Sequence, residues 1–138
     1  MTTPLLDALR RQGRPEGLEE YVATVFESMG AEVEILPKNY AGKKGDCDVE
    51  ATFTTLCLVV SVQCKKHEGT TDDWGVKQIE EYSNSKREDQ EPGWTYWKWV
   101  VSTADSFSDD ARNMAAQKNI RLVNGSEFCR MLLGCGIK

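Results

Sequence analysis

Three residues of the 138-residue chain have types and spacing suited to chemistry: Asp48 in Gly45-Asp46-Cys47-Asp48-Val49-Glu50, and Gln63 and Lys65 in Val62-Gln63-Cys64-Lys65. Side chains alternate faces along a strand, so Gln63 and Lys65 share one face and Cys64 takes the other. An Asp at the start of one strand and a Gln-x-Lys at the end of the next converge at one end of a sheet. Few structural reasons place these polar types beside a strand as apolar as Leu56-Cys57-Leu58-Val59-Val60-Ser61-Val62. The set suits phosphodiester hydrolysis. A hard cation such as Mg²⁺, for which Mn²⁺ substitutes, takes one or two carboxylates with further oxygens and retained waters. Asp48 supplies the anionic oxygen, and the Gln63 amide and the Cys64 backbone carbonyl supply neutral ones. The cation polarises a phosphate and acidifies a water. Lys65 orients or helps deprotonate that water and offsets charge building on the phosphate.

These residues need elements to position them. Thr3-Pro4 opens a short helix to about Gln12, followed by a turn at Gly13 to Gly17. Leu18, Tyr21, Val22, Val25, Phe26 and Met29 then recur at i, i+3, i+4 spacing, an amphipathic helix ending at Gly30. Ala31 to Leu36 alternates apolar and acidic residues, as a strand with one wet face does. A basic loop, Pro37 to Gly45, leads to a strand over Asp46 to Phe53 and, past a threonine turn, to a third over Leu56 to Lys65. That third run reads as a central strand buried on both faces. Trp74 to Ser85 is helical, with Val76, Ile79 and Tyr82 on one side, and Asn84 to Gly93 is a polar loop or frayed helix end. Tyr96 to Ser102 is a fourth strand, and Ser106 or Ser108 caps a helix carrying Ala111, Met114 and Ala115. Ile120 to Val123 is a fifth strand, Asn124-Gly125 a turn, and Phe128 to Leu133 a closing helix. The second and third strands form a hairpin and the later β-α-β unit a parallel crossover. The expected fold is a single α/β domain over residues 1–138, a mixed central sheet of about five strands flanked by helices.

Composition fits this picture: 40% hydrophobic and 28% charged residues are ordinary for a globular domain. No apolar run approaches a membrane span, and the N-terminus lacks the apolar core of a signal peptide. Five cysteines with no CxxC pair support neither a disulfide framework nor a zinc site. Reduced thiols in the cytoplasm fit best, most of them as small buried hydrophobes. The net charge of −5 runs against phosphate binding. Its distribution softens the objection: Lys38, Lys43, Lys44, Lys65 and Lys66 outnumber Asp46, Asp48 and Glu50 around the site, and the acidity gathers between Glu68 and Glu91.

The Asp…Gln-x-Lys pattern resembles the form of PD-(D/E)XK found in Mrr-type restriction endonuclease catalytic domains. Leu18 to Ile35 resembles that family's first helix and strand, and Trp99 to Leu132 its closing β-α-β-α half; the likeness runs from Leu18 to Leu133. The resemblance implies a restriction-endonuclease-like core, a Mg²⁺-dependent endodeoxyribonuclease of restriction or defence type, and cleavage that leaves a 5′-phosphate. It further implies an acidic metal ligand on the first helix, which falls on Glu19, with Glu20 in reserve. Cys47 stands where the family's proline would be. DNA is the implied partner, recognised with weak specificity, as a homodimer, or through a separate recognition domain or protein. Archaeal Holliday-junction resolvases share the core and size, which makes junction cutting the alternative reading. A non-catalytic DNA- or protein-binding module is another, against which the intact Asp48, Gln63 and Lys65 speak. A nucleotide-binding regulatory domain lacks its glycine-rich loop.

Other residues carry weaker signals. Lys43, Lys44 and Lys66 are candidates for the DNA backbone, although loop lysines commonly serve solubility. Gln78 faces the site if its helix packs beside the third strand, in a supporting or DNA-contacting role. His67, the only histidine, is expected to be exposed in a loop. Trp94, Tyr96, Trp97 and Trp99 could stack bases, but alternation assigns part of the cluster to the core and the rest to a covered face or dimer contact.

Overall fold

The computed structural model describes residues 16–37 and 45–136. The expected helix at Pro4 to Gln12, and Lys43 and Lys44, lie outside them. In chain order the elements are α1 (Glu16–Ser28), β1 (Glu32–Ile35), β2 (Val49–Phe53), a 3₁₀ turn (Thr54–Leu56), β3 (Leu58–Lys65), β4 (Thr70–Thr71) and α2 (Trp74–Ser85). A second 3₁₀ turn (Arg87–Asp89), β5 (Thr95–Ser102), β6 (Ser106–Phe107), α3 (Asp109–Lys118), β7 (Ile120–Val123) and α4 (Gly125–Gly134) follow. Five strands form one mixed sheet in the order β1-β2-β3-β5-β7. The first three are antiparallel neighbours, while β5 runs parallel to both β3 and β7. The expected α/β architecture with a five-stranded mixed sheet is what forms.

Each face of the sheet carries its own apolar layer. On one face α1 and α4 bring Leu18, Val22, Val25, Phe26, Phe128 and Leu132 onto Val49, Ala51, Val60, Val62, Trp99 and Val101. On the other, Val76 and Ile79 of α2 and Ala111 and Ala115 of α3 close over Val100 and Ile120. The i, i+3, i+4 spacing on α1 follows from packing one helix face on the sheet, and along β3 Leu58, Val60 and Val62 turn to the α1 layer while Val59 and Ser61 turn to the other face.

The structure corrects several boundaries. Gly17 belongs to α1 instead of the expected turn. Asn124-Gly125 is a helix start: the Asn124 side chain accepts a hydrogen bond from the Glu127 amide at 2.9 Å and caps α4. Ser108, not Ser106, caps α3, accepting from the Ala111 amide. Ser106 instead enters a two-stranded parallel pair, β4 with β6, which periodicity over two residues cannot announce. β3 is not closed on both faces: Leu58, Val60 and Val62 are buried, but Val59 and Ser61 are only half-buried. Leu56 lies before the strand and is exposed, and Cys57 is an exposed left-handed residue at φ 51°, an exception to the buried-cysteine expectation. No helix among the described residues is long and apolar enough to cross a membrane.

Candidate active site

Asp48 sits in the bend that enters β2. Its amide donates to the Val62 carbonyl at 2.9 Å and its own carbonyl accepts from the Leu36 amide at 2.9 Å, so the backbone is held between β1 and β3. With Val49 opposite Val62, Asp48 falls beside Gln63. The Asp48 carboxylate (Oδ2) accepts the Cys64 amide N–H at 2.7 Å, which ties it directly to the Gln-x-Lys strand. N–H and C=O of one extended residue leave the strand on the same edge. The Cys64 carbonyl therefore projects from the β2-side edge of β3, toward Asp48.

Gln63 and Lys65 share a face, as parity requires, and the same acceptor gathers both. Gln63 Nε2 donates to Gln78 Oε1 at 3.0 Å, and Lys65 Nζ donates to that oxygen at 2.8 Å. Gln78 thus links the Gln-x-Lys pair through its carbonyl oxygen and is half-buried on α2. Two glycines let α2 come this close. A Cβ on Gly75 would lie 3.1 Å from Lys65 Cε and 3.3 Å from Val100 Cγ1, so its absence leaves a lane for the lysine stem. Gly45, at φ +73°, lies against the backbone of Gln78 and Tyr82, and the Asp46 amide donates to the Gln78 carbonyl at 3.1 Å.

Asp48 and Gln63 are 1% and 2% exposed. Gln63 Oε1 is buried and has no hydrogen-bond partner among the described residues, a costly state for an amide oxygen. An uncompensated oxygen beside a buried carboxylate fits an oxygen-seeking cation.

Glu19 lies on α1, on the opposite side of the sheet from α2, and is buried at 2%, whereas Glu20 is exposed. Burial distinguishes the two positions: Glu19 faces the protein interior and Glu20 the solvent. The turn at Met29-Gly30 reverses the chain, so the start of α1 lies at the sheet end where β1 finishes. There Ile35 pairs with Val49, next to Asp48. Topology therefore brings Glu19 toward the Asp48 end. Among the described residues no group of three or more His, Cys, Asp or Glu gathers into a metal cluster.

Neighbouring groups are settled by burial. Glu50, on the same face as Asp48, accepts the Tyr82 hydroxyl at 3.1 Å and so turns toward α2. Burial, and secondarily the Glu50 carboxylate, push the Cys47 thiol well above its ordinary 9.0, so it stays protonated; Sγ donates to the Val49 carbonyl. Burial chiefly, with Cys47 and Glu50, likewise raises Tyr82. Lys66 is half-buried and His67 exposed, and together with Glu68 and Thr103 they line a small concavity. Trp99 is core, packed on Phe26 and covered by Arg121 at 4.4 Å, while Trp97 is half exposed. The links through Gln78 Oε1 and the Cys64 amide were not legible in the sequence, because both depend on which atoms meet across elements.

A family model described as restriction endonuclease, Mrr_cat, matches residues 10–132. Among solved structures the chain is similar to a repair endonuclease from Pyrococcus abyssi, with a TM-score of 0.55 and 16% sequence identity. The likeness covers 78% of this chain and 44% of that one, so the chain spans less than half the length of that neighbour, and at this identity it speaks for the fold. No curated protein matches the sequence.

Proposed function

Because the chain belongs to the Mrr-type restriction endonuclease family, we propose that it is a divalent-metal-dependent endodeoxyribonuclease whose site is built on Asp48, Gln63, Lys65 and Glu19. The observation that carries this reading is the buried, unpartnered Gln63 Oε1 beside Asp48, on the strand face that also presents Lys65. Asp48, Glu19, Gln63 Oε1 and the Cys64 carbonyl would hold the cation, with Mg²⁺ the preferred ion and Mn²⁺ a substitute. The chemistry supplied by such an ion is polarisation of the scissile phosphate and acidification of a water.

The remaining work falls to the protein's own groups. Lys65 orients the attacking water and offers its ammonium to the charge that builds on the phosphate oxygens. Gln78 Oε1 fixes that ammonium and the Gln63 amide at once, so the two side chains are set relative to each other before substrate arrives. The Cys64 N–H, bonded to Asp48 Oδ2, holds the carboxylate in one rotamer. Lys66, with Lys43 and Lys44, supplies positive charge for the DNA backbone.

The test is nicking of supercoiled plasmid, linear duplex and a four-way junction in Mg²⁺ or Mn²⁺ by wild type and Lys65→Ala. Wild type is expected to cut and leave 5′-phosphates, and the variant to lose on the order of a thousandfold in rate. Absence of cutting on every substrate, or equal cutting by the variant, rejects the nuclease reading. Preference for the junction would assign the resolvase activity.

A further inference from the structure

Below the Asp48–Gln63 pair, the same sheet face opens into a cleft of about 470 Å³. Its floor is the stretch that the apolar layer leaves half-buried, Val59 and Ser61 of β3 with Glu50 opposite Ser61. One wall is the end of α2, through Tyr82 and Lys86. The other is the loop into β5, through Glu91 and Trp94. That loop is fastened across the cleft: the Glu91 amide donates to the Tyr96 hydroxyl at 2.9 Å, and Tyr96 pairs with Val59 on the floor.

The lining has a definite chemical character. Among the described lining residues, Glu34, Glu50, Asp89 and Glu91 face one cation, Lys86, which lies 5.8 Å over the Tyr82 ring. A phosphate does not belong inside such a cleft. A flat, neutral ring does, because Trp94, Tyr96 and Tyr82 present aromatic surface and the carboxylates accept hydrogen bonds without donating any. Along β3, Ser61 lies about 7 Å and Val59 about 13 Å from Gln63 at the rise of an extended strand. A phosphate held at Gln63 and Lys65 therefore has the cleft within reach of a base on the same strand of nucleic acid.

Resting on the nuclease reading, we propose that this cleft receives one unstacked nucleobase of the DNA strand engaged at Lys65. Trp94 is the stacking surface, and the Glu50 carboxylate, anchored by Tyr82, is the acceptor for an exocyclic amine. The ligand class is then a single-stranded or locally opened strand carrying cytosine or adenine near the cut phosphate. Acceptance of the cytosine amine by a carboxylate and stacking on an aromatic ring are both ordinary ways of reading an extruded base.

The experiment measures binding, so it does not depend on cutting. The full wild-type chain, which keeps Lys65, is titrated in metal-free buffer with EDTA so that no strand is cut, against fluorescent oligo-dC, oligo-dT and an abasic deoxyribose-phosphate oligomer of equal length, read by anisotropy. Oligo-dC is expected to bind roughly tenfold more tightly than the abasic oligomer, the scale of one base on one aromatic ring. Adding Trp94→Ala removes most of that ratio, and Trp94→Phe retains it. Oligo-dC also exceeds oligo-dT several-fold, and Glu50→Gln erases this preference. Equal affinity of the parent for oligo-dC and the abasic oligomer, or a Trp94→Ala loss that is the same for both, overturns the pocket. Equal binding of oligo-dC and oligo-dT overturns the role of Glu50. Failure of wild type to nick any DNA rejects the nuclease reading separately, since the binding ratios need no turnover.

Discussion

Strand β3 has two unlike sides. One presents Leu58, Val60 and Val62 to a closed apolar layer under α1 and α4, with Val62 fully buried. The other begins with half-buried Val59 and Ser61 over an open cleft and ends with Gln63 and Lys65 under Gln78. The first side is satisfied by contact alone, whereas the second keeps a buried amide oxygen without a partner. An apolar residue at position 63 would avoid that cost. The difference teaches a division of labour along β3: its α1 side is closed by apolar contact, while its α2 side retains polar groups that apolar packing does not satisfy.

The contrast is broken most severely on the apolar side. Phe128→Ala, which empties a 1%-exposed core position, is expected to cost about 4 kcal/mol in urea unfolding. The nicking rate per folded molecule should stay at the wild-type level. A large drop in that rate would mean the two faces are not independent.

Divalent cation should act in the opposite sense, on the polar side. At about a hundred times its Kd a bound ion adds about 2.7 kcal/mol, visible as a rise in melting temperature. Gln63→Leu should change metal-free stability by less than about 1 kcal/mol, because Gln78 Oε1 keeps its bond from Lys65. The same variant should lose the metal-induced rise. An undiminished rise would remove Gln63 from the ligand set.

Gly45→Ala probes the joint between the site loop and α2. Its Cβ would overlap the backbone of Gln78 and Tyr82 at a positive φ. A loss of about 2 kcal/mol is expected, accompanied by weaker nicking as Gln78 shifts. Loss of stability without loss of activity would show that α2 need not be held at this point.

The smallest effect is alkaline. Burial raises Tyr82 above its ordinary 10.0 in the folded state, so the unfolded chain ionises first. Stability from this group is full below about pH 10 and falls as pH rises beyond it. Glu50, Glu34 and Cys47 face the hydroxyl and act in the same direction. Comparing urea midpoints at neutral and strongly alkaline pH, Tyr82→Phe should show a shallower decline than wild type. An identical decline would assign the pH dependence to other groups.

Much of this molecule is determined by local pattern. Periodicity alone places α2 at Trp74–Ser85 and β7 at Ile120–Val123, the bounds observed. Strand alternation alone puts Gln63 and Lys65 on one face, since a period of two leaves no other choice. Short-range chemistry is ambiguous where one residue serves two motifs. Asn124-Gly125 reads as a turn, yet Asn124 caps a helix, because the packing of Phe128 and Leu132 pays for continuing the chain as helix. Tertiary structure decided the rest. Glu19 is distinguished from Glu20 by which side of α1 meets the sheet. Gln78 becomes the shared acceptor of Gln63 and Lys65 because Gly45 and Gly75 let α2 approach, and the Cys64 amide reaches Asp48 through the β2–β3 register. Residue types and their spacing point to the chemistry proposed above; the atoms that meet are set by distances between elements far apart in the chain.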